Sequence, residues 1–464
     1  MFTVYHPELA DLARSLSEQH RDLLAGRWDA DRLAEHQAER LRATLAYAGR
    51  RSPFYRARLD GLAEGDDFAS VPFTTKQDLR DAGMDMLSRP MHEAWIFYET
   101  TGTTGISTPC PRDNVDTLHN NSVLTAYYGT VFDQYGDRQV IGVSGPSELH
   151  ATGDTFGDVC RNLGLAVAKM WPHSPMIGFD RALEVMRLLP ITGLFCTPGM
   201  ALSLAKKAVE AGLDPRADFS LDVFMLTGEL ASPSLLANIG ELWGARAYNA
   251  LYASQEASVL AAAGADGALY TAPLINYYEV IDPETTLPAQ PGPDGVRQGE
   301  LVITNLYQGA KPLIRYRTGD MVRMSPAAPG ASVPASRVEV LGRVGDQLEI
   351  NGRRITGYDL EDLLLRHIRG YLDYQIVLAD EHIGLLLHGE VGPDDPGLLL
   401  AGEECRDRLG AELVVSFGDP GAITSTGAMV SWKAARVVDR RSGRLGARDE
   451  REAQAAHALA ARRR

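Results

Sequence analysis

The sequence predicts an α/β protein, a large domain with mainly parallel, helix-covered sheets followed by a small α+β domain. Three observations carry that expectation. From about residue 138, short runs apolar on both faces each lead through a turn into an amphipathic helix, the alternation of a parallel sheet. After residue 341 the texture changes to a hairpin and further short strands around one helix. At 464 residues the chain also exceeds one ordinary core.

The elements follow in order. Leu9, Leu12 and Leu16, then Leu33, Leu41 and Leu45, recur at helical spacing, with Gly49 as the expected stop, so residues 1–90 read as a helical lead-in. Val140-Ile141-Gly142-Val143 is the first buried strand. Leu194-Phe195-Cys196 leads into Thr197-Pro198-Gly199 and a helix. Val223-Phe224-Met225-Leu226 leads into Thr227-Gly228-Glu229 and a helix through Leu235, Leu236 and Leu242. Ligands collect at the carboxyl ends of such strands, so both turns are candidate ligand loops. The Pro/Gly-rich stretches 283–298 and 325–335 read as surface loops. Asn351-Gly352 between two strand-like runs signals a two-residue hairpin. Strand-like runs at 374–378, 383–388 and 412–416, with a helix near 397–409, complete the small domain. The expected division is 1–341 and 342–464.

Composition narrows the function. Hydrophobic content of 45% and charged content of 23% suit a globular protein, and the net charge of −15 argues against a nucleic-acid partner. No apolar run has the length of a membrane span, and the start lacks the regions of a signal peptide, so a cytoplasmic protein is expected. Cys110, Cys160, Cys196 and Cys405 are scattered, which disfavours structural zinc or a disulfide framework. The chain has six lysines against 40 arginines, and Lys433 is the only lysine after Lys311.

Thr100-Thr101-Gly102-Thr103-Thr104-Gly105 concentrates hydroxyls and accessible amides, a composition suited to wrapping the oxygens of a polyphosphate. In order after it come Thr227-Gly228-Glu229, Tyr252-Ala253-Ser254-Gln255-Glu256, GELVITNLYQGAKPLIRYRTGD ending at Asp320, Gly342-Arg343-Val344-Gly345-Asp346, and Lys433 near Arg436. With these motifs the chain resembles the adenylate-forming superfamily of acyl-CoA synthetases, adenylation domains and luciferases. SPFYRARL and SVPFTTKQDLRDA ahead of the Thr/Gly loop are similar to the phenylacetate-CoA ligase-like subgroup in particular.

The resemblance implies a large ATP- and acid-binding domain and a small mobile domain carrying a catalytic lysine. The implied reaction joins a carboxylate to the α-phosphate of ATP, expels pyrophosphate, and passes the acyl group to coenzyme A. Thr100, Thr101, Thr103 and Thr104, with Gly102 and Gly105, would hold the β- and γ-phosphates. Glu256 would ligate Mg2+, and Tyr252 with Gly228 and Glu229 would flank the adenine. Asp320 would accept hydrogen bonds from the ribose, and Arg343 would contact ribose or phosphate. Lys433 would reach the attacking carboxylate from the small domain, a contact suited to a flexible point charge. Gly345 would be the pivot between half-reactions.

The chain departs from the family pattern in three places. Ile106-Ser107 stands where relatives usually have Lys-Pro, Gln255 where a hydroxyl is common, and Trp432 where a glycine usually precedes the lysine. These suggest a divergent member, suited to a specialised biosynthetic pathway. The acid pocket is expected along Ser144–His150, with Ser144 and His150, opposite Thr197, Pro198, Gly199, Ala253 and Ser254. No residue there suits an α-amino group, so a small aromatic acid is expected. The alternative acceptor is a carrier protein in trans or an amine, or the enzyme activates an unusual oxyanion. The protein is expected to act as a monomer or homodimer.

Overall fold

The computed structural model describes residues 6–61, 67–100, 107–331, 333–420 and 436–441. The lead-in is helical, with helices Pro7–Leu24, Ala30–Arg51, Pro53–Arg58 and Lys76–Ala82. Gly49 does not end the second helix. It runs on to Arg51 and stops at Ser52, whose extended backbone (φ −92°, ψ 122°) is the conformation favoured before a proline. Thr75 opens the fourth helix with a capping box: its hydroxyl accepts from the Asp78 amide while Asp78 accepts from the Thr75 amide.

Among the described residues the main sheet has eleven strands. Its spatial order is Asn276–Ile281, Arg297–Asn305, Tyr316–Ser325, Arg337–Arg343, Leu269–Thr271, Ser258–Ala263, Arg246–Ser254, Val223–Thr227, Gly193–Cys196, Val140–Val143 and Ala166–Lys169. The five strands from Arg246–Ser254 to Ala166–Lys169 pair in parallel. Three of them, Val140–Val143, Gly193–Cys196 and Val223–Thr227, are the strand runs legible in the sequence. The remaining pairings are antiparallel, beginning where Arg246–Ser254 folds back onto Ser258–Ala263 through a three-residue turn. Parallel pairing is thus confined to one end of a sheet that belongs to the expected α/β class.

The strand Arg337–Arg343 pairs with Tyr316–Ser325 as far as Asp320 opposite Arg343, so the chain leaves this sheet only after Arg343. The hairpin Leu348–Ile350/Arg353–Ile355 follows, turning through Asn351 (φ 49°) and Gly352 (φ 76°). Both positive angles are those of a two-residue hairpin turn. Helix Gly357–Leu365, helix Pro396–Leu409 and a four-stranded sheet complete the described fold.

The two sheets are joined through helix Pro233–Trp243. Its buried Asn238 donates to the Tyr371 carbonyl and accepts from the Gly370 amide, both at 2.8 Å. Ser232 Oγ donates to Glu361 at 2.7 Å, and Ser234 Oγ donates to Asp362 at 2.6 Å. One apolar cluster continues from Leu235, Ile239 and Trp243 into Leu360, Leu364, Tyr371 and Tyr374. All four cysteines are buried and free. Among the described residues no helix is long and apolar enough to cross a membrane.

Candidate active site

Glu256 sits in the turn that reverses the sheet from parallel to antiparallel. Ser254 Oγ accepts from the Ala257 amide at 3.0 Å, which tightens that turn and drives the Glu256 carboxylate inward. There it is buried and accepts from the Tyr316 hydroxyl at 3.0 Å. Burial by itself would raise its pKa, but the Lys76 ammonium, a backbone hydrogen bond and Lys311 more than offset this and hold it at about 2. A carboxylate kept ionised inside a cavity is a ready ligand for a hard cation.

Lys76 lies 3.0 Å from Glu256. It arrives there because Thr74 bridges Tyr316, with Thr74 N donating to the Arg315 carbonyl and Arg317 N to the Thr74 carbonyl. The strand that presents the Tyr316 hydroxyl therefore also anchors the start of the Lys76 helix. Sequence reasoning did not single out Lys76. The available signal was a lysine in an arginine-rich chain, directly behind the helix cap Thr75.

Asp320 lies on the same strand as Tyr316, after Gly319 (φ 72°). Its carboxylate accepts from the Tyr252 hydroxyl at 2.8 Å and pairs with Arg343 at 3.1 Å. Arg343 also donates to the Thr318 carbonyl at 3.0 Å. Burial, then the neighbouring Asp320 charge, raises the Tyr252 pKa well above its ordinary value, so this hydroxyl remains a donor. Glu256, Asp320, Arg343 and Lys76 all line one cavity of about 220 Å³, together with Thr100 and Gly228. Of the groups expected to meet one nucleotide, Thr100, Gly228, Glu256, Asp320 and Arg343 share this cavity, while Tyr252 and Glu229 are not in its wall.

The other expected residues divide. His150, Ala253 and Ser254 line the cavity. Thr197 instead caps the next helix, its hydroxyl accepting from Met200 N at 3.0 Å. Gly199 N donates to Glu229 Oε2 at 3.0 Å, and the Glu229 carboxylate faces Arg436. Ser144 is buried, and neither it, the Thr197–Gly199 turn nor Glu229 is part of the cavity wall. Thr100 closes the base of the Thr/Gly loop: its hydroxyl accepts from Thr108 N at 2.9 Å and its amide donates to the Thr108 carbonyl at 3.2 Å. Thr101, Gly102, Thr103, Thr104, Gly105 and Lys433 lie outside the described residues. Gly345 has φ 88°, with no atom within 4 Å of where a Cβ would stand.

No family model matches the chain. It is 29% identical to a phenylacetate-coenzyme A ligase of Pseudomonas putida, over 72% of this chain and 76% of the relative. A phenylacetate-coenzyme A ligase of Aromatoleum evansii is 27% identical over 89% of this chain and 95% of the relative. Among solved structures, 2-hydroxyisobutyryl-CoA ligase in complex with 2-HIB-AMP superposes with a TM-score of 0.73 at 21% identity, covering 93% of each chain. This likeness is one of fold.

Proposed function

Since the chain belongs to the adenylate-forming superfamily, in its phenylacetate-CoA ligase-like branch, we propose that it activates a small carboxylic acid with ATP and passes the acyl group to coenzyme A as a thioester. The observation that carries this is the convergence of Glu256, Asp320, Arg343 and Lys76 on one cavity, with Thr100 at the root of the Thr/Gly loop.

In the first half-reaction the acid's carboxylate attacks the α-phosphate of ATP, and pyrophosphate leaves. Two anions must be brought together, so positioning and charge neutralisation are what the protein has to supply. Asp320, held by Tyr252 and Arg343, accepts from the ribose hydroxyls and fixes the nucleotide. Gly228 lies beside the adenine, its φ of 86° keeping the backbone low at the cavity wall. The Thr/Gly loop takes the β- and γ-phosphates. Glu256 fits Mg2+: one ionised carboxylate, with substrate phosphates and water completing the shell, is this ion's usual arrangement. When bound, Mg2+ would neutralise phosphate charge.

Lys433 supplies the cation at the attacking carboxylate. We divide the chain into a large unit to about Arg343 and a small unit beyond it, with Gly345 as the pivot that removes Lys433 before transfer to CoA. The acid occupies the side of the cavity bounded by His150, Ala253 and Ser254.

The test is pyrophosphate release over a panel of acids, with and without CoA, in the wild type and Lys433→Ala. Acid-dependent release that Lys433→Ala abolishes, while transfer from a presynthesised acyl-adenylate persists, supports the assignment. Loss of both half-reactions to the same extent in a folded variant would refute it. Acyl transfer to a carrier protein or amine, with none to CoA, would move the acceptor to the alternative class.

A further inference from the structure

Arg112 lines the cavity and has no carboxylate within salt-bridge distance among the described residues. Its guanidinium donates from Nη2 to the Gln255 carbonyl at 3.3 Å and stands 5.1 Å from the centre of the Tyr98 ring, while Nε is buried without a partner. The Asp154 carboxylate accepts from the Tyr98 hydroxyl at 3.1 Å and is itself paired with Lys169. A guanidinium has five donors in a rigid fork that matches oxygen anions. Here a backbone carbonyl and an aromatic ring are the recorded partners of that fork.

The position of Arg112 sets it apart from the phosphate loop. The hairpin Ile96–Glu99/Pro109–Arg112 pairs Glu99 with Pro109 next to the loop and Ile96 with Arg112 at the far end. Three residues of strand place Arg112 about 10 Å from the loop. The same cavity wall carries Thr152, Thr155 and His150. His150 Nδ1 meets both the Thr152 amide at 3.3 Å and the Thr152 hydroxyl at 2.8 Å. Of these polar groups, Arg112 has a buried nitrogen that a plain hydrocarbon would leave unsatisfied.

We infer that Arg112 reads a second oxygen group on the acid, and that the substrate is a hydroxylated or dicarboxylic acid and not an unsubstituted aryl acid. This rests on the adenylation reading above. The carboxylate that reacts faces the nucleotide, and the second acceptor lies against Arg112, satisfying a charge that meets no carboxylate among the described residues.

The experiment compares pyrophosphate release with benzoate, its monohydroxy derivatives, the benzene dicarboxylates and the corresponding phenylacetates. The wild type should favour the best oxygen-substituted acid over its unsubstituted parent by about tenfold or more in kcat/KM, the scale of a charge-assisted hydrogen bond. Arg112→Met should remove that ratio and leave KM for ATP unchanged. The wild-type panel needs no variant, so misfolding of Arg112→Met cannot hide the answer. Equal or better use of the unsubstituted parents overturns the inference alone. So does an equal loss for every acid in Arg112→Met, which would put Arg112 on the reacting carboxylate, or a raised KM for ATP with the ratio kept. No pyrophosphate with any acid overturns the adenylation reading and this inference with it.

Discussion

The Lys76 ammonium lies 3.0 Å from Glu256 Oε1, so the carboxylate proposed to take Mg2+ already meets a cation of the chain. The pair links the helical lead-in to the turn between the parallel and antiparallel halves of the sheet. The Lys76 side chain is 32% exposed on the cavity wall, whereas that of Glu256 is only 3% exposed. If a metal occupied Glu256, this exposure would let the lysine turn toward a phosphate. It would supply the positive charge that Ile106-Ser107 leaves out of the Thr/Gly loop.

Replacing Lys76 with Met should lower kcat/KM for ATP by about 10- to 100-fold at neutral pH, in the range of a lost preorganised charge contact. It should also shift the acid limb. A carboxylate held at about 2 contributes stability that is present above its ordinary 4.5 and lost as pH falls from 4.5 through about 2. Without Lys76, burial is less opposed and the Glu256 pKa rises, so activity should begin to fall at a higher pH, while the loss of Tm below pH 4.5 should shrink as the folded and unfolded pKa values draw together. Pyrophosphate-release profiles and thermal melts between pH 3 and 7 check this. An unmoved acid limb would separate the two residues.

Tyr252→Phe removes the donor 2.8 Å from Asp320 and leaves the Arg343 pair in place. The expected result is a rise of about fivefold in KM for ATP, equivalent to about 1 kcal/mol for one hydrogen bond, with kcat nearly unchanged. Asp320→Asn should raise KM further, because it weakens the ion pair as well as the ribose contact. Initial-rate kinetics at saturating acid distinguish these outcomes. A fall in kcat at constant KM would argue against a ribose role for Asp320.

Gly345→Pro forces φ from 88° to about −65° in a segment with open space around it. The change should restrict rotation more than packing, so thioester formation should slow well beyond pyrophosphate release. The two half-reactions, timed separately by rapid quench, give the ratio. Unaltered thioester formation would move the pivot elsewhere.

Glu361→Gln should stabilise the protein at neutral pH. Burial raises the Glu361 pKa, opposed by hydrogen bonds from Tyr374 and Ser232 and by the Arg436 charge. The unfolded chain therefore ionises this carboxyl at lower pH than the folded one does, and stability falls as pH rises above 4.5. The amide keeps an acceptor for Ser232 and avoids that loss. Melts should show a gain of about 1–3 °C at pH 7 that vanishes below pH 4. A lower Tm at pH 7 would mean that the charge is required at this junction.

Local chemistry made several features readable directly. Asn351-Gly352 specified a hairpin because these residues adopt positive φ readily, and both do so. The runs around Val140, Leu194 and Val223 read as parallel strands because both of their faces are buried, as they are here. Glu256, Asp320 and Arg343 could be singled out because their motifs are contiguous letters. The Thr197–Gly199 turn was a reasonable ligand loop on the same logic, since it follows a strand. Its hydroxyl is instead spent on capping a helix, a choice visible only once the turn is folded.

By itself, then, the amino-acid order determined the α/β class, the strand–turn–helix units, the hairpin and the acidic motif residues, because each depends on neighbours within a few positions. The tertiary structure alone decided that Lys76 meets Glu256, that Arg112 faces the cavity beside Gln255, and that half the sheet runs antiparallel. Those pairings join segments from 143 to 180 residues apart, or strands whose partners no local pattern names. Electrostatic and packing energies act through space, and proximity of that kind has no signature along the chain.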